Sequence, residues 1–255
     1  MTKEVKLVKK VKRLLKRLGC QRWLHHFGPK TYEFYQHVVA LLLKESFQLS
    51  FRRVSKLLQM LGLHIPSYSA LCKMRKRIPL WMWKEIFQST ANFHSYLVAV
   101  DSTGFSRSNP SWHYIKRIDR KNPVNSYLKL SCFFDTRRKK FLAARLRARP
   151  RHDIQDVDYL LKQRKTMQKL LGDTAYDAEW LHKKMHQLRI ITMIKPRKNV
   201  RRGFYRKKQM KKYRERTYHR RSMIEAGFFG LKRKYGSSIL ARAISAQRAE
   251  MYCKL

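Results

Sequence analysis

Acidic side chains are scarce in this sequence: 16 Asp and Glu stand against 60 Lys and Arg in 255 residues, a formal net charge of +44. That imbalance argues against a monomeric small-molecule enzyme, because so much like charge repels itself and gathers polyanions without discrimination. Nucleic acid is the expected partner. Cysteines are few, at positions 20, 72, 132 and 253, with no C-x-x-C pair. Their spread excludes a zinc finger and a disulfide scaffold and suits a reducing compartment. Long apolar runs are also missing. The longest, residues 38–43 and 97–100, are far too short to span a bilayer, and the basic first 18 residues hold no signal-peptide core. A cytoplasmic protein with no membrane partner is expected. What remains is 44% hydrophobic residues, enough for a packed core in one large domain or two modest ones.

Apolar residues recur at three- and four-residue spacing over residues 5–18 and 32–47, which predicts two helices separated by a Gly28-Pro29 turn. Ser50 is placed to cap a third helix carrying Val54, Leu57, Leu58 and Leu61, with Gly62 to end it. A fourth starts at Ser67 and runs through Leu71 and Met74 to Lys76 or Arg77. Its basic residues Lys73, Arg75, Lys76 and Arg77 suit a helix-turn-helix whose second helix enters the major groove. An ordinary helical hairpin with a solvated basic face is the competing reading. Together these predict a helical DNA-binding region over residues 1–90, with the helix-turn-helix-like segment near 50–78.

Near residue 95 the pattern changes. The run Tyr96-Leu-Val-Ala-Val100 reads as a buried strand leading into Asp101, residues 126–134 as a second strand, and residues 141–148 as a third after a basic hairpin at 136–140. A helix within 154–171 precedes a short strand ending at Gly172-Asp173. A helix over 179–188 and a strand over 190–194 follow, and the order is that of a mixed α/β domain filling residues 95–255. The Lys- and Arg-crowded stretch 195–212 is expected as a surface arm or mobile loop. Its candidate DNA contacts are Arg201, Arg202, Arg206, Lys207 and Lys208. A last helix resumes near Arg216 and carries Glu225.

With so few acids, their placement is informative. Asp101 and Asp173 are each expected at the C-terminal end of a core strand, where open α/β sheets commonly place ligand-binding groups. If Glu225 joins them, the three carboxylates form an oxygen-rich site suited to two Mg²⁺ ions, with Mn²⁺ able to substitute. Such ions reverse the local sign, so that a phosphodiester can approach. At 100° per residue, Tyr218, Arg221, Glu225 and Lys232 fall within about 60° of one another on a continuous helix, although Gly227 and Gly230 weaken that helix.

The segment Y-H-R-R-S-M-I-E-A-G-F-F-G-L-K, residues 218–232, resembles the signature of DDE transposases from prokaryotic insertion sequences: Tyr, two residues, Arg, three residues, Glu, six residues, Lys. The segments V-A-V-D-S-T-G at 98–104 and L-G-D-T-A-Y-D at 171–177 are similar to the regions carrying that family's two catalytic aspartates. The resemblance implies a ribonuclease-H-like core preceded by a helical end-recognition region. It implies Asp101, Asp173 and Glu225 as catalytic metal ligands, with Tyr218, Arg221 and Lys232 as auxiliary DNA contacts. The implied activity is metal-dependent cleavage at element ends followed by 3′-hydroxyl strand transfer. Its partners would be double-stranded DNA with terminal repeats and target DNA, held by a homodimer or larger complex at the nucleoid. Relatives usually continue with more helical sequence, whereas this chain stops at Leu255 in an apolar-periodic run. A shortened, inactive DNA-binding remnant is therefore an alternative, as is a nuclease of the same fold without strand transfer.

Other residues carry weaker expectations. Asp177 is expected to cap the following helix rather than to approach the metals, and Asp135 to serve a turn. Asp153, Asp156 and Asp158 resemble an ion site in composition only, with Asp153 read as a helix start. Trp112 and His113 either stack on DNA or pack a loop. Trp81 and Trp83 are expected as packing residues.

Overall fold

The computed structural model describes residues 3–24, 27, 29–90, 94–107, 127–149, 151–163, 166–198 and 202–255. Arg201, Trp112, His113 and Gly28 lie outside the described residues, as does Ser126 at the start of the expected second strand. The chain divides into two compact units, Met1–Thr90 with Lys234–Leu255, and Ala91–Arg233.

The first unit is helical. It contains α1 (Lys3–Arg17), α2 (Phe34–Ser46), α3 (Phe51–Met60), α4 (Tyr68–Arg77) and α5 (Leu80–Thr90). Ser50 and Ser67 are the N-caps of α3 and α4, each hydroxyl accepting the amide three residues on, from Arg53 at 3.2 Å and Ala70 at 3.4 Å. Gly62 ends α3 at φ +71°. There its N–H donates to the carbonyl of Gln59 and that of Leu63 to Leu58, the paired bonds of a Schellman turn. The hairpin buries Val54, Leu58, Leu71 and Met74. Helix α5 follows Pro79 and completes the helical region expected over residues 1–90, although the sequence reading assigns no separate helix there. Trp83 is buried there, but Trp81 is exposed rather than packed.

The second unit is built on a mixed sheet. Strands β1 (Ser95–Arg107), β2 (Tyr127–Asp135), β3 (Lys140–Arg147), β4 (Met167–Gly172) and β5 (Ile191–Ile194) stand in the order β3-β2-β1-β4-β5. The first three run antiparallel, while β4 and β5 are parallel to β1. Parallel neighbours need long crossovers. Helices α6 (Val157–Gln163) and α7 (Glu179–Gln187) supply them. Val157, Leu160 and Leu161 of α6 and Leu181 and Met185 of α7 pack on Val98, Val100, Phe133 and Leu170 in one buried cluster, each such side chain contributing about 1.5–3 kcal/mol.

After β5 come α8 (Phe204–Met210), α9 (Glu215–Tyr218), a 3₁₀ turn His219–Arg221, and α10 (Ser222–Tyr235). Because alternate strand residues face opposite ways, Phe134 and Phe141 turn away from the first cluster. Their rings stand 5.0 Å apart, and Phe141 lies 5.7 Å from Phe228 of α10. The result is a mixed α/β arrangement with helices packed on both faces of the sheet, the fold class that the sequence led us to expect.

The last helix, α11 (Ile244–Lys254), clusters with the helical unit, although the sequence reading assigned residues 95–255 to the sheet domain. Its buried residues explain the placement. Tyr252 lies 5.8 Å from the ring of Phe87 in α5, and Lys254 and Glu250 form a buried pair at 2.9 Å. Among the described residues, no helix is long and apolar enough to cross a membrane.

Candidate active site

Asp101 does not end its strand, as expected, but sits within it. Strand β1 stays paired with β2 through Ser106 opposite Tyr127, whereas its parallel pairing with β4 stops at Ala99 opposite Leu171. Asp101 is thus two residues past the end of one pairing and in the middle of the other. Asp173 directly follows β4, also two residues beyond that last pair. The two aspartates therefore leave neighbouring parallel strands at the same level and on the same face.

Glu225 arrives from α10. The His219–Arg221 turn, which lies against both β1 and β4, delivers Arg221 between the acids. Its Nη1 is 3.3 Å from Asp101 Oδ2 and its Nη2 is 2.6 Å from Glu225 Oε1. The other oxygen of Asp101, Oδ1, accepts the Ser102 N–H at 2.8 Å. Asp173 accepts the Ala175 N–H at 2.9 Å, as N-cap of a short 3₁₀ turn.

Burial raises the Asp101 carboxyl to about 6. The Ser102 amide and Arg221 oppose the rise, and the negative charges of Asp173 and Glu225 add to it. Desolvation pulls Arg221 down, but Glu225 and Asp101 outweigh it and hold the guanidinium above its ordinary value. Asp101 thus senses both of the other acids. Among the described residues, however, no group of three or more His, Cys, Asp or Glu side chains is gathered closely enough to hold a metal ion.

Hard carboxylate oxygens are the right donors for Mg²⁺ or Mn²⁺, and a cationic side chain already occupies the ground between two of them. The donor type suits divalent ions, while the spacing of the described carboxylates does not enclose one.

Tyr218 and Lys232, expected as auxiliary DNA contacts, lie at the end of α9 and on α10. Lys232, on α10, holds its Nζ 5.4 Å from the buried ring of Phe105, further along β1. The Tyr218 ring lies 5.8 Å from that of Tyr213. The stripe expected for residues 218–232 is interrupted by the 3₁₀ turn, but α10 itself is unbroken through Gly227 and Gly230.

The basic stretch differs from expectation. Residues 204–210 form a docked helix, and Arg206 is buried rather than offered to DNA. Its Nε lies 2.7 Å from Asp177 Oδ1. The same oxygen is 3.0 Å from His182 Nε2, and His182 Nδ1 is 2.8 Å from the Thr192 hydroxyl. Asp177 is therefore a network centre, not the expected helix cap, and the N-cap of α7 is Ala178. A charged carboxylate this deeply buried has to be paired, and Arg206 supplies the cation. Arg202, Lys207 and Lys208 remain exposed, as do Lys73, Lys76 and Arg77 on α4. Arg75 is half-buried over the Phe51 ring.

One group beside Asp101 has no local sequence signal. The Ser102 hydroxyl donates to Asp153 Oδ1 at 2.7 Å, and Lys129 pairs with Asp153. Asp156, almost wholly buried, accepts from Ser131 at 2.7 Å and pairs with Arg147. Asp153 does open a 3₁₀ turn, as its helix-start reading anticipated, and Asp135 accepts the amides of Arg137 and Arg138 in the β2–β3 turn. The ionic partners of Asp153 and Asp156 are Lys129 on β2 and Arg147 on β3, paired through the fold of the sheet, so periodicity cannot reveal them.

No curated protein matches the chain. Among solved structures it is similar to one titled "Crystal structure of a pre-cleavage Mos1 transpososome", at 11% identity and TM-score 0.22, covering 96% of this chain and 84% of that one. A likeness that loose bears on neither fold nor function. The family model described as "Transposase DDE domain" matches residues 92–255, a span that includes Asp101, Asp173, Glu225 and the whole β-sheet. The chain belongs to the DDE transposase-domain family.

Proposed function

We propose that this protein is a DNA transposase that cleaves DNA at insertion-element ends and transfers the resulting 3′-hydroxyl into target DNA. The observation that carries the reading is the convergence on one face of Asp101 and Asp173, from adjacent parallel strands, with Glu225 tied to Asp101 through Arg221. Asp101, Asp173 and Glu225 are the proposed catalytic residues and the proposed ligands of two Mg²⁺ ions. Bound there, divalent cations supply Lewis-acid polarisation of the scissile phosphate and activation of the attacking oxygen.

The remaining roles belong to the chain's own side chains. Three carboxylates alone repel a phosphodiester, and Arg221 and Lys232 offset that repulsion by offering donors to the phosphate oxygens. Tyr218 packs or hydrogen-bonds against the same strand, which completes the Tyr-Arg-Glu-Lys signature. Exposed Lys73, Lys76 and Arg77 on α4 give the hairpin of α3 and α4 a cationic face for the ends of the element, with Arg75 beside them. Arg202, Lys207 and Lys208 add a second cationic strip, while buried Arg206 serves to anchor it. Donor ends and target have to be held together, so a dimer or larger complex on DNA is part of the proposal, as is residence in the cytoplasm at the nucleoid.

The test is a reaction with the DNA that flanks the gene, in Mg²⁺ and in Mn²⁺, resolved into cleaved and joined products. Asp101→Asn, Asp173→Asn and Glu225→Gln are each expected to keep DNA binding and to lose at least about 10²-fold in cleavage rate. Wild-type cleavage by any one would remove that residue from the site. Cleavage without joined ends would turn the reading into that of a nuclease.

A further inference from the structure

We propose that Arg221 is the resident counter-cation of the carboxylate site. In DNA-free protein its guanidinium bridges Asp101 and Glu225 and competes with divalent cations for their oxygens. A DNA phosphate draws it away, so that metal and DNA load together. The inference rests on reading those carboxylates as metal ligands.

The geometry is specific about which oxygens are engaged. Asp101 has Oδ1 occupied by the Ser102 amide and Oδ2 by Arg221 Nη1, while Nη2 of the same guanidinium holds Glu225 Oε1. An arginine cannot relieve this by deprotonation, since its guanidinium stays charged throughout the accessible pH range. A divalent cation on the same oxygens would therefore meet a fixed positive charge a few ångströms away. The bridge is nevertheless built to open. Glu225 is about half exposed, so its arm of the bridge is reached by water and contributes little to stability, while Arg221 and Asp101 on the other arm are largely buried. Arg221 also ends a 3₁₀ turn between two helices, a segment of poorer hydrogen-bond geometry than the α-helix that follows. Phosphate is the natural alternative acceptor, because its oxygens match the guanidinium fork in two parallel bonds. The residue would then pass from the carboxylates to the DNA without leaving the site, and the acids would be freed only when a substrate phosphate is present.

Binding of Mn²⁺ to the full chain without DNA, followed by the loss of the free-Mn²⁺ electron paramagnetic resonance signal, tests the idea with no turnover. Arg221→Gln is expected to bind Mn²⁺ on the order of ten-fold more tightly than the unmodified protein. Arg221→Lys keeps the charge but not the two-armed reach, and should fall between them. A duplex oligonucleotide, corrected for its own Mn²⁺ binding, should tighten Mn²⁺ binding by the unmodified chain and change it little in Arg221→Gln. Equal or weaker Mn²⁺ binding by both Arg221 variants, in protein whose circular dichroism is unaltered, overturns the proposal. Asp101→Asn and Glu225→Gln separate the two levels. If they lose Mn²⁺ while the Arg221 variants gain nothing, the competition alone is wrong; if they bind Mn²⁺ like the unmodified chain, the metal-ligand reading is wrong as well.

Discussion

A Cβ at position 227 would stand 2.8 Å from Cε2 of Phe134, closer than real side chains approach. Hydrogen is the only substituent that lets α10 lie this near the sheet, and this closeness brings the Glu225 turn alongside β1. Gly227→Ala is therefore expected to lower unfolding free energy by about 1–3 kcal/mol through overpacking, read as a shifted denaturant midpoint at unchanged slope. A midpoint equal to that of the unmodified chain would mean that the Phe134 ring simply yields. From sequence the same glycine reads as a weak spot in a helix, because propensity is a local quantity. The neighbour that makes it necessary is a residue far away in the chain. At Gly230 a Cβ would meet nothing within 4 Å, so no such constraint applies there, and the sequence cannot tell the two glycines apart.

Among the elements, the hairpin of α3 and α4 was the most readable, since its signals are local. Two serine caps, a glycine with positive φ and apolar residues one turn apart all act within a few residues. Its proposed role leads to a test. Reversing Lys73, Lys76 and Arg77 to Glu, one at a time, should weaken DNA binding and make the salt dependence shallower by about 0.9 in logarithmic slope for each phosphate no longer neutralised. Unchanged slopes for all three would assign that face to solvent. The stretch after β5 was less readable. Its charge suggests a loose arm, yet α8 docks because the Gln209 side chain behaves as a strand would: Oε1 accepts the Thr192 N–H at 3.2 Å and Nε2 donates to the Ile190 carbonyl at 3.1 Å. Backbone groups at a sheet edge need partners, and here an amide side chain provides them. No count of lysines and arginines signals that.

For the protein taken entire, the +44 charge already works against compactness, and the buried network around Asp177 adds a specific acid sensitivity. Burial lowers the His182 pKa from its ordinary 6.5, although Asp177 pulls the other way. In Asp177 burial alone would raise the carboxyl, but the Arg197 amide, Arg206 and His182 outweigh it and hold the group below its ordinary 3.8. In both cases the unfolded chain takes up its proton first. The His182 contribution is complete above 6.5 and is lost as the pH falls from there towards the depressed folded value, and the Asp177 contribution follows below 3.8. Thermal unfolding midpoints should therefore drop between pH 7.5 and roughly pH 5.5, and His182→Gln should flatten that drop. An unaltered profile in the variant would place the sensitive group elsewhere. The order of residues alone settles what acts over short range: most of the helices and strands, the serine caps and glycine stop of the α3–α4 hairpin, the cationic excess, and that three scarce acids stand beside buried elements. It took the folded chain to show that Asp101 lies inside a strand, that Arg221 stands between two carboxylates, that Arg206 is buried, and that the last helix joins the first five. Each of these depends on pairing between residues distant in the chain, which is set by the register of the sheet and the close packing of side chains, and neither leaves a periodic mark on the sequence.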